Sequence, residues 1–123
     1  MAAAAHAFRW TYGDSFDFTL TWSPGGSPQD LTGYTVDMKV RNRATEVELL
    51  HLDTDTGGGL SIPTPANGQV VCAASPTVML GGKLTNESKI HDFDLQVRSS
   101  DGSIIRTLIA GDFQVEKEVT DVA

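Results

Sequence analysis

Gly13-Asp-Ser-Phe-Asp-Phe-Thr-Leu-Thr-Trp22 decides the fold class, because Phe16, Phe18, Leu20 and Trp22 fall at every second position with Asp17, Thr19 and Thr21 between them. Side chains alternate sides along a β-strand, so this segment has one apolar and one polar face and reads as a half-buried strand. The same rhythm returns where Tyr34, Val36, Met38 and Val40 alternate with Thr35, Asp37, Lys39 and Arg41, and again in Phe93, Leu95 and Val97. No segment carries an equally strong helical period, and Gly, Pro, Asp and Asn fill the intervals. An all-β domain of about seven to nine short strands follows, either a sandwich or a small barrel.

The remaining elements are read outward from these strands. His6 to Tyr12 alternates loosely, with Phe8, Trp10 and Tyr12 on one side, before a turn at Gly13-Asp14. Ser23-Pro-Gly-Gly-Ser-Pro28 reads as a surface loop. Glu46 to Leu52 is expected to be a strand whose inward face is ambiguous among Val47, Leu49, Leu50 and Leu52, with a helix as the open alternative. Leu60 and Ile62 begin a short strand, and Asn67-Gly68 predicts a hairpin turn into Gln69-Val-Val-Cys-Ala73. One helical turn or two is expected at Pro76 to Leu84, capped by Ser75 and stopped by Gly81-Gly82. Ile90 to Arg98 then bends at Ser99-Ser-Asp-Gly102 into Ser103 to Ala110 and Asp112 to Val119, with Gly111 between them permitting a bulge or a change of sheet. The expected organisation is a mobile N-terminal end at 1–7, one domain at 8–120 and a C-terminal end at 121–123.

Composition narrows the class of partner. A chain of 123 residues, 40% hydrophobic and 20% charged, suits a single packed core. With 16 acidic against 9 basic residues the net charge is −7, which repels a phosphate backbone unless cations gather on one patch. Lys39, Arg41 and Arg43 are the densest basic spot, and beside Asp37 and Glu46 they read as solvent-facing strand residues, so nucleic acid is not an expected partner. The single Cys72 has no intrachain partner and sits in an apolar strand, as a small core residue would. Met1-Ala-Ala-Ala-Ala5 lacks the features of a secretion signal, and no run approaches the roughly 20 apolar residues that span a bilayer. A soluble protein without a membrane partner is expected.

Residues with chemical potential do not assemble into a motif. His51-Leu-Asp53 would place an imidazole and a carboxylate on one strand face, and His91-Asp-Phe-Asp94 sets another imidazole near two carboxylates. A metal site asks for three or four ligands, and spacing supplies no third. Asp53-Thr-Asp-Thr-Gly57 lacks the acidic twelfth position of an EF-hand, and Gly57-Gly58-Gly59 has neither the Lys nor the helix of a phosphate loop. The paired carboxylates Asp14 with Asp17 and Asp92 with Asp94 read as solvated, and Asn86-Glu-Ser88 matches a glycosylation acceptor by pattern alone. The chain is therefore expected not to be an enzyme, with no catalytic residues, no cofactor and no bound metal.

A family resemblance adds a setting. Gly13 to Trp22, then Asp30-Leu-Thr-Gly-Tyr34 leading into Met38-Lys-Val-Arg41, resembles the immunoglobulin-like domains of tailed-phage virions, notably the N-terminal domain of upper-baseplate proteins (the BppU N-terminal family). The likeness continues through Gly59-Leu-Ser-Ile62, Asn67-Gly68, Phe93-Asp-Leu-Gln-Val97, Ser100-Asp-Gly102, Leu108-Ile-Ala-Gly111 and Phe113-Gln-Val115, over roughly residues 8 to 120. It implies an immunoglobulin-like antiparallel β-sandwich that docks a fibre or receptor-binding protein onto a tail or baseplate, with no catalytic residues. The family's domain often begins a longer fibre protein, whereas this sequence stops at Ala123, so the fibre is expected to be a separate polypeptide.

The expected role is thus a virion structural protein, a tail or baseplate adaptor present in multiple copies of a symmetric assembly and residing in the host cytoplasm during assembly. A capsid cement (decoration) protein is the alternative within that class. Arg9, Trp10 and Tyr12 are residue types that anchor protein interfaces and mark the expected contact, although Phe8, Trp10 and Tyr12 serve equally as a first core strand. From another class, a carbohydrate-binding module would use Trp10, Tyr12, Trp22 and Tyr34 as an exposed platform, whereas strand alternation turns Trp22 and Tyr34 inward.

Overall fold

The computed structural model of the chain describes residues 4–55 and 58–119. The expected C-terminal end at 121–123, and the first three residues of the expected N-terminal end, lie outside that range. In chain order the elements are β1 (Ala4–Thr11), β2 (Phe16–Thr21), β3 (Thr35–Arg41), β4 (Glu48–Asp53), β5 (Leu60–Ser61), β6 (Gln69–Ala74), α1 (Pro76–Leu80), β7 (Lys89–Arg98) and β8 (Ile105–Glu116). One sheet runs β1-β8-β7-β3-β4 and the other β2-β6-β5. The two sheets form an immunoglobulin-like sandwich, one of the two architectures left open by the strand rhythm and the one implied by the family likeness.

Strict alternation sets the core. On β3, Val36, Met38 and Val40 are fully buried, and on β7 Phe93, Leu95 and Val97 join them. Opposite them the second sheet contributes Phe16, Leu60, Val70, Cys72 and Ala74. Each large apolar side chain removed from water contributes on the order of 1.5–3 kcal/mol, so the two inner faces together supply the main driving force for folding. Burial pushes the Cys72 thiol up to about 11, which keeps it protonated and unreactive at neutral pH. The short helix is built as its sequence predicts: the Val78 N–H donates to the Ser75 hydroxyl, Pro76 starts the turn, and Met79 is buried.

Four details depart from the sequence reading. The pairing of β1 with β8 is parallel, from Ala4 beside Ile109 to Thr11 beside Glu116, while every other strand pair is antiparallel. The turn at 12–15, with Gly13 at φ 95, carries the chain across to the second sheet, so β1 and β2 form no hairpin and β1 finds its backbone partners on the last strand. Ala4 to Ala7 therefore belong to a paired strand that begins inside the segment expected to be mobile; their side chains are exposed, and the backbone ladder holds them together with the edge-on contact of His6 with Phe8.

Ser103 to Ala110 and Asp112 to Val119 are not two strands. Gly111 lies within the continuous β8, and the bulge falls instead at Leu108, which has no partner between the pairs Leu95–Ile109 and Gln96–Thr107. Gly111 answers another need, since a Cβ there would lie 2.0 Å from the His6 carbonyl oxygen. Asn67-Gly68 likewise makes no two-residue hairpin: Pro65–Asn67 is a 3-10 turn closed by Gly68 at φ 65, so the link from β5 to β6 is wide.

Candidate functional site

The outer face of the larger sheet gathers most of the polar chemistry. Alternation turns Thr35, Asp37, Lys39 and Arg41 of β3 outward beside Asp94, Gln96 and Arg98 of β7, and together they line an open trough of about 310 Å3. Each of the three basic residues noted in the sequence meets an acid on a neighbouring strand or loop. Lys39 lies 3.8 Å from Glu48 and Arg41 lies 3.9 Å from Asp94. Arg43 bridges Asp92, at 2.7 Å, and Asp112. These carboxylates raise the Arg43 pKa further above its ordinary value, chiefly by hydrogen bonding. The pairs are half-exposed, where ion pairs contribute little to stability, but they leave no uncompensated basic stripe among the described residues.

At the β4 edge of this face, three ligand-type side chains converge. The ambiguity of β4 is resolved by a bulge: Val40 pairs with Leu50 and Arg41 with Glu48, leaving Leu49 as the extra residue, so Leu50 and Leu52 enter the core. His51 and Asp53 consequently share the outer face, as their spacing predicts. Asp37 joins them from β3, directly opposite Asp53 in register. His51 Nε2 lies 2.7 Å from Asp37 Oδ1 and 3.7 Å from Asp53 Oδ2. Asp53 is 8% exposed, and its Oδ1 accepts the backbone N–H groups of Asp55 and Gly58. The donor atoms of all three residues lie within 4.8 Å of one another. Asp37 was legible as an outward residue of β3; what the sequence does not disclose is which strand lies beside it.

The second imidazole behaves differently. His91 points into the core from β7 while Asp92 and Asp94 point outward, so neighbours in sequence occupy opposite faces. It is 4% exposed and its Nδ1 has no hydrogen-bond partner among the described residues. Burial, aided by the charge of Lys89, lowers its pKa.

The expected interface residues lie on β1 and the turn after it. Arg9 is on the outer face, its side chain 3.4 Å from Glu116. Trp10 is in the core at 3% exposure, with its indole N–H donating to the Asp14 carbonyl, and Tyr12 packs half-buried against the same cluster. The structure thus gives Phe8, Trp10 and Tyr12 the role of a first core strand, and Trp10 offers no surface to a partner while the domain is folded.

The four aromatics named for a sugar platform divide into two pairs. Trp10 and Tyr12 have ring centroids 5.7 Å apart, whereas Trp22 and Tyr34 form an edge-on pair at 6.3 Å. Trp22 and Tyr34 are half-buried, less than their alternation predicts, and line an open groove of about 620 Å3 with Leu20, Gln29, Ile104 and Leu108. Ala4 borders that groove, so the two pairs sit toward opposite ends of β1.

No family model matches the chain, and no curated protein matches it. Among solved structures it is similar to the crystal structure of CopC from Methylosinus trichosporium OB3b, at 14% identity and a TM-score of 0.44 over 98% of this chain and 90% of that one. A likeness of that degree says nothing of which residues act, or on what.

Proposed function

We propose that this chain is a virion structural protein, an adaptor of a phage tail or baseplate that docks a fibre or receptor-binding protein through its first strand. The carrying observation is the edge of β1. This strand is bonded to β8 on one side and, among the described residues, has no strand on the other. Ala4, Ala5 and Ala7 are exposed along it and are small enough for another backbone to approach. The opposite edge of the same sheet is guarded: the Lys83 N–H donates to the Leu49 carbonyl at 2.7 Å, and Gly82 lies so close to that carbonyl that a Cβ would stand 2.3 Å from it. An open edge offers a row of backbone donors and acceptors, which is the chemistry of strand addition. The phage setting rests on the sequence resemblance, and the role is one of assembly rather than catalysis.

Mass spectrometry of purified particles after lysine- and carboxylate-directed cross-linking tests this reading. The chain is expected in intact particles, absent from tail-stripped ones, and cross-linked to a neighbour through Asp14, Asp112 or Glu116, carboxylate residues that lie beside β1. Retention on stripped particles would favour a capsid cement protein instead. Absence from particles altogether would overturn the virion role. The Trp22–Tyr34 groove keeps one reading of another class in view, and quenching of Trp fluorescence by titrated oligosaccharides is its measure.

A further inference from the structure

We propose that Asp37, His51 and Asp53 form a binding site for a divalent transition-metal ion of the zinc type. One imidazole with two carboxylates is a mixed nitrogen and oxygen donor set, which favours such ions over calcium or magnesium, whose ligands are oxygens. The three residues come from two paired strands, so rigid backbone rather than a flexible loop sets their spacing. Around a tetrahedral ion with bonds of about 2.0–2.1 Å, ligand atoms stand roughly 3.3 Å apart. The observed separations of 2.7 and 3.7 Å from His51 Nε2 bracket that value, and small side-chain rotations would equalise them.

Asp53 supplies the independent indication of a ligand. The Asp53 side chain is 11% exposed, and most of its carboxylate is held in place by the backbone while Oδ2 stays open to the cluster. Its Oδ1 is answered twice, by the backbone N–H groups of Asp55 and Gly58 at 3.1 and 2.9 Å. Among the described residues no hydrogen bond reaches Oδ2, which is aimed at the cluster, 3.7 Å from His51 Nε2. Backbone donors that orient one oxygen and leave the other free are the supporting shell of a metal carboxylate. Two carboxylates also balance the charge of a divalent ion. Lys39, the nearest cation on this face, is turned toward Glu48 rather than into the cluster. Binding requires the lone pair of His51 Nε2, so the ring proton resides on Nδ1 in the loaded form, and Asp37 exchanges its hydrogen bond to the ring for a bond to the metal. Three protein ligands leave at least one coordination position for water or for a donor from a neighbouring molecule.

Isothermal titration of the untagged, chelator-treated chain with zinc chloride at pH 7.5 tests the site, with cobalt absorption and histidine side-chain NMR as further readouts. One equivalent of zinc is expected per chain, moving the ring-nitrogen signals of His51 and not those of His6 or His91. Asp37→Asn and His51→Gln alter half-exposed side chains and should stay folded by circular dichroism while weakening binding at least about tenfold. Calcium should compete poorly. The absence of saturable zinc binding below about 1 mM, an affinity unchanged in both variants, or a response confined to His6 would each overturn the proposal.

Discussion

His91 occupies a position where the β7 alternation would accept an apolar residue, and its consequence is a dependence of stability on pH. Its pKa in the folded chain lies below the ordinary 6.5, first because burial disfavours the charged ring and then because Lys89 and Arg43 outweigh Glu87 and Asp92 around it. Above that ordinary value both folded and unfolded chains hold a neutral ring, and the stability is fully present. As pH falls below 6.5 the unfolded chain takes up the proton first, so stability declines. Urea unfolding between pH 7.5 and 5.5 should show this decline in the parent and a flatter profile in His91→Leu. Equal slopes would mean that the ring is neither dry nor unpartnered in solution. Both His91 and His51 are strand residues within two positions of an acid in sequence, yet one is inward and the other outward. The stretch from His91 to Asp94 reads in sequence as a surface one, but Phe93 and Leu95 place His91 on their own, inward side. Alternation could not read that Asp37 would stand opposite Asp53, since strand adjacency is decided by long-range topology.

At the scale of elements, the strongest constraint is the contact of β1 with β8 at Gly111. A methyl group there would meet the His6 carbonyl at 2.0 Å, so Gly111→Ala must push β1 away or shift the ladder. A loss of about 2 kcal/mol or more is expected by urea unfolding, with faster hydrogen exchange of the β1 amides. Unchanged exchange would show that the two strands are not this close. The elements best anticipated were β2, β3, β7 and α1, whose own residues carry strict alternation or a complete cap, as with Ser75 and Pro76. Those misread or left open depend on partners. The direction of β1 is set by its distant neighbour on the last strand, and the face of β4 by the bulge at Leu49. Gly68 carries the positive φ that the dipeptide suggests, but Pro65 starts a 3-10 turn that takes in Asn67 before the pair can make a tight hairpin.

Across the whole molecule, one cluster of buried side chains joins both sheets, from Trp10 and Phe113 to Val70 and Cys72. Neither sheet has a core of its own, so the domain should unfold in a single step. Trp10 reports from the interior and Trp22 from the rim, and their fluorescence should change at the same urea concentration as far-ultraviolet circular dichroism. Separate midpoints would mean that the layers come apart independently.

The parallel alignment of β1 with β8 also fixes how the domain would bear a load. β1 enters beside Ile109 and β8 leaves past Thr11, so the two strands run side by side in the same direction over eight residues, a span of about 25 Å. Tension applied at Ala4 and at Glu116 pulls these strands past each other lengthwise. The whole ladder is then strained in shear at once, instead of opening one rung at a time, and a domain held in this way resists extension more stubbornly than its thermodynamic stability alone would suggest.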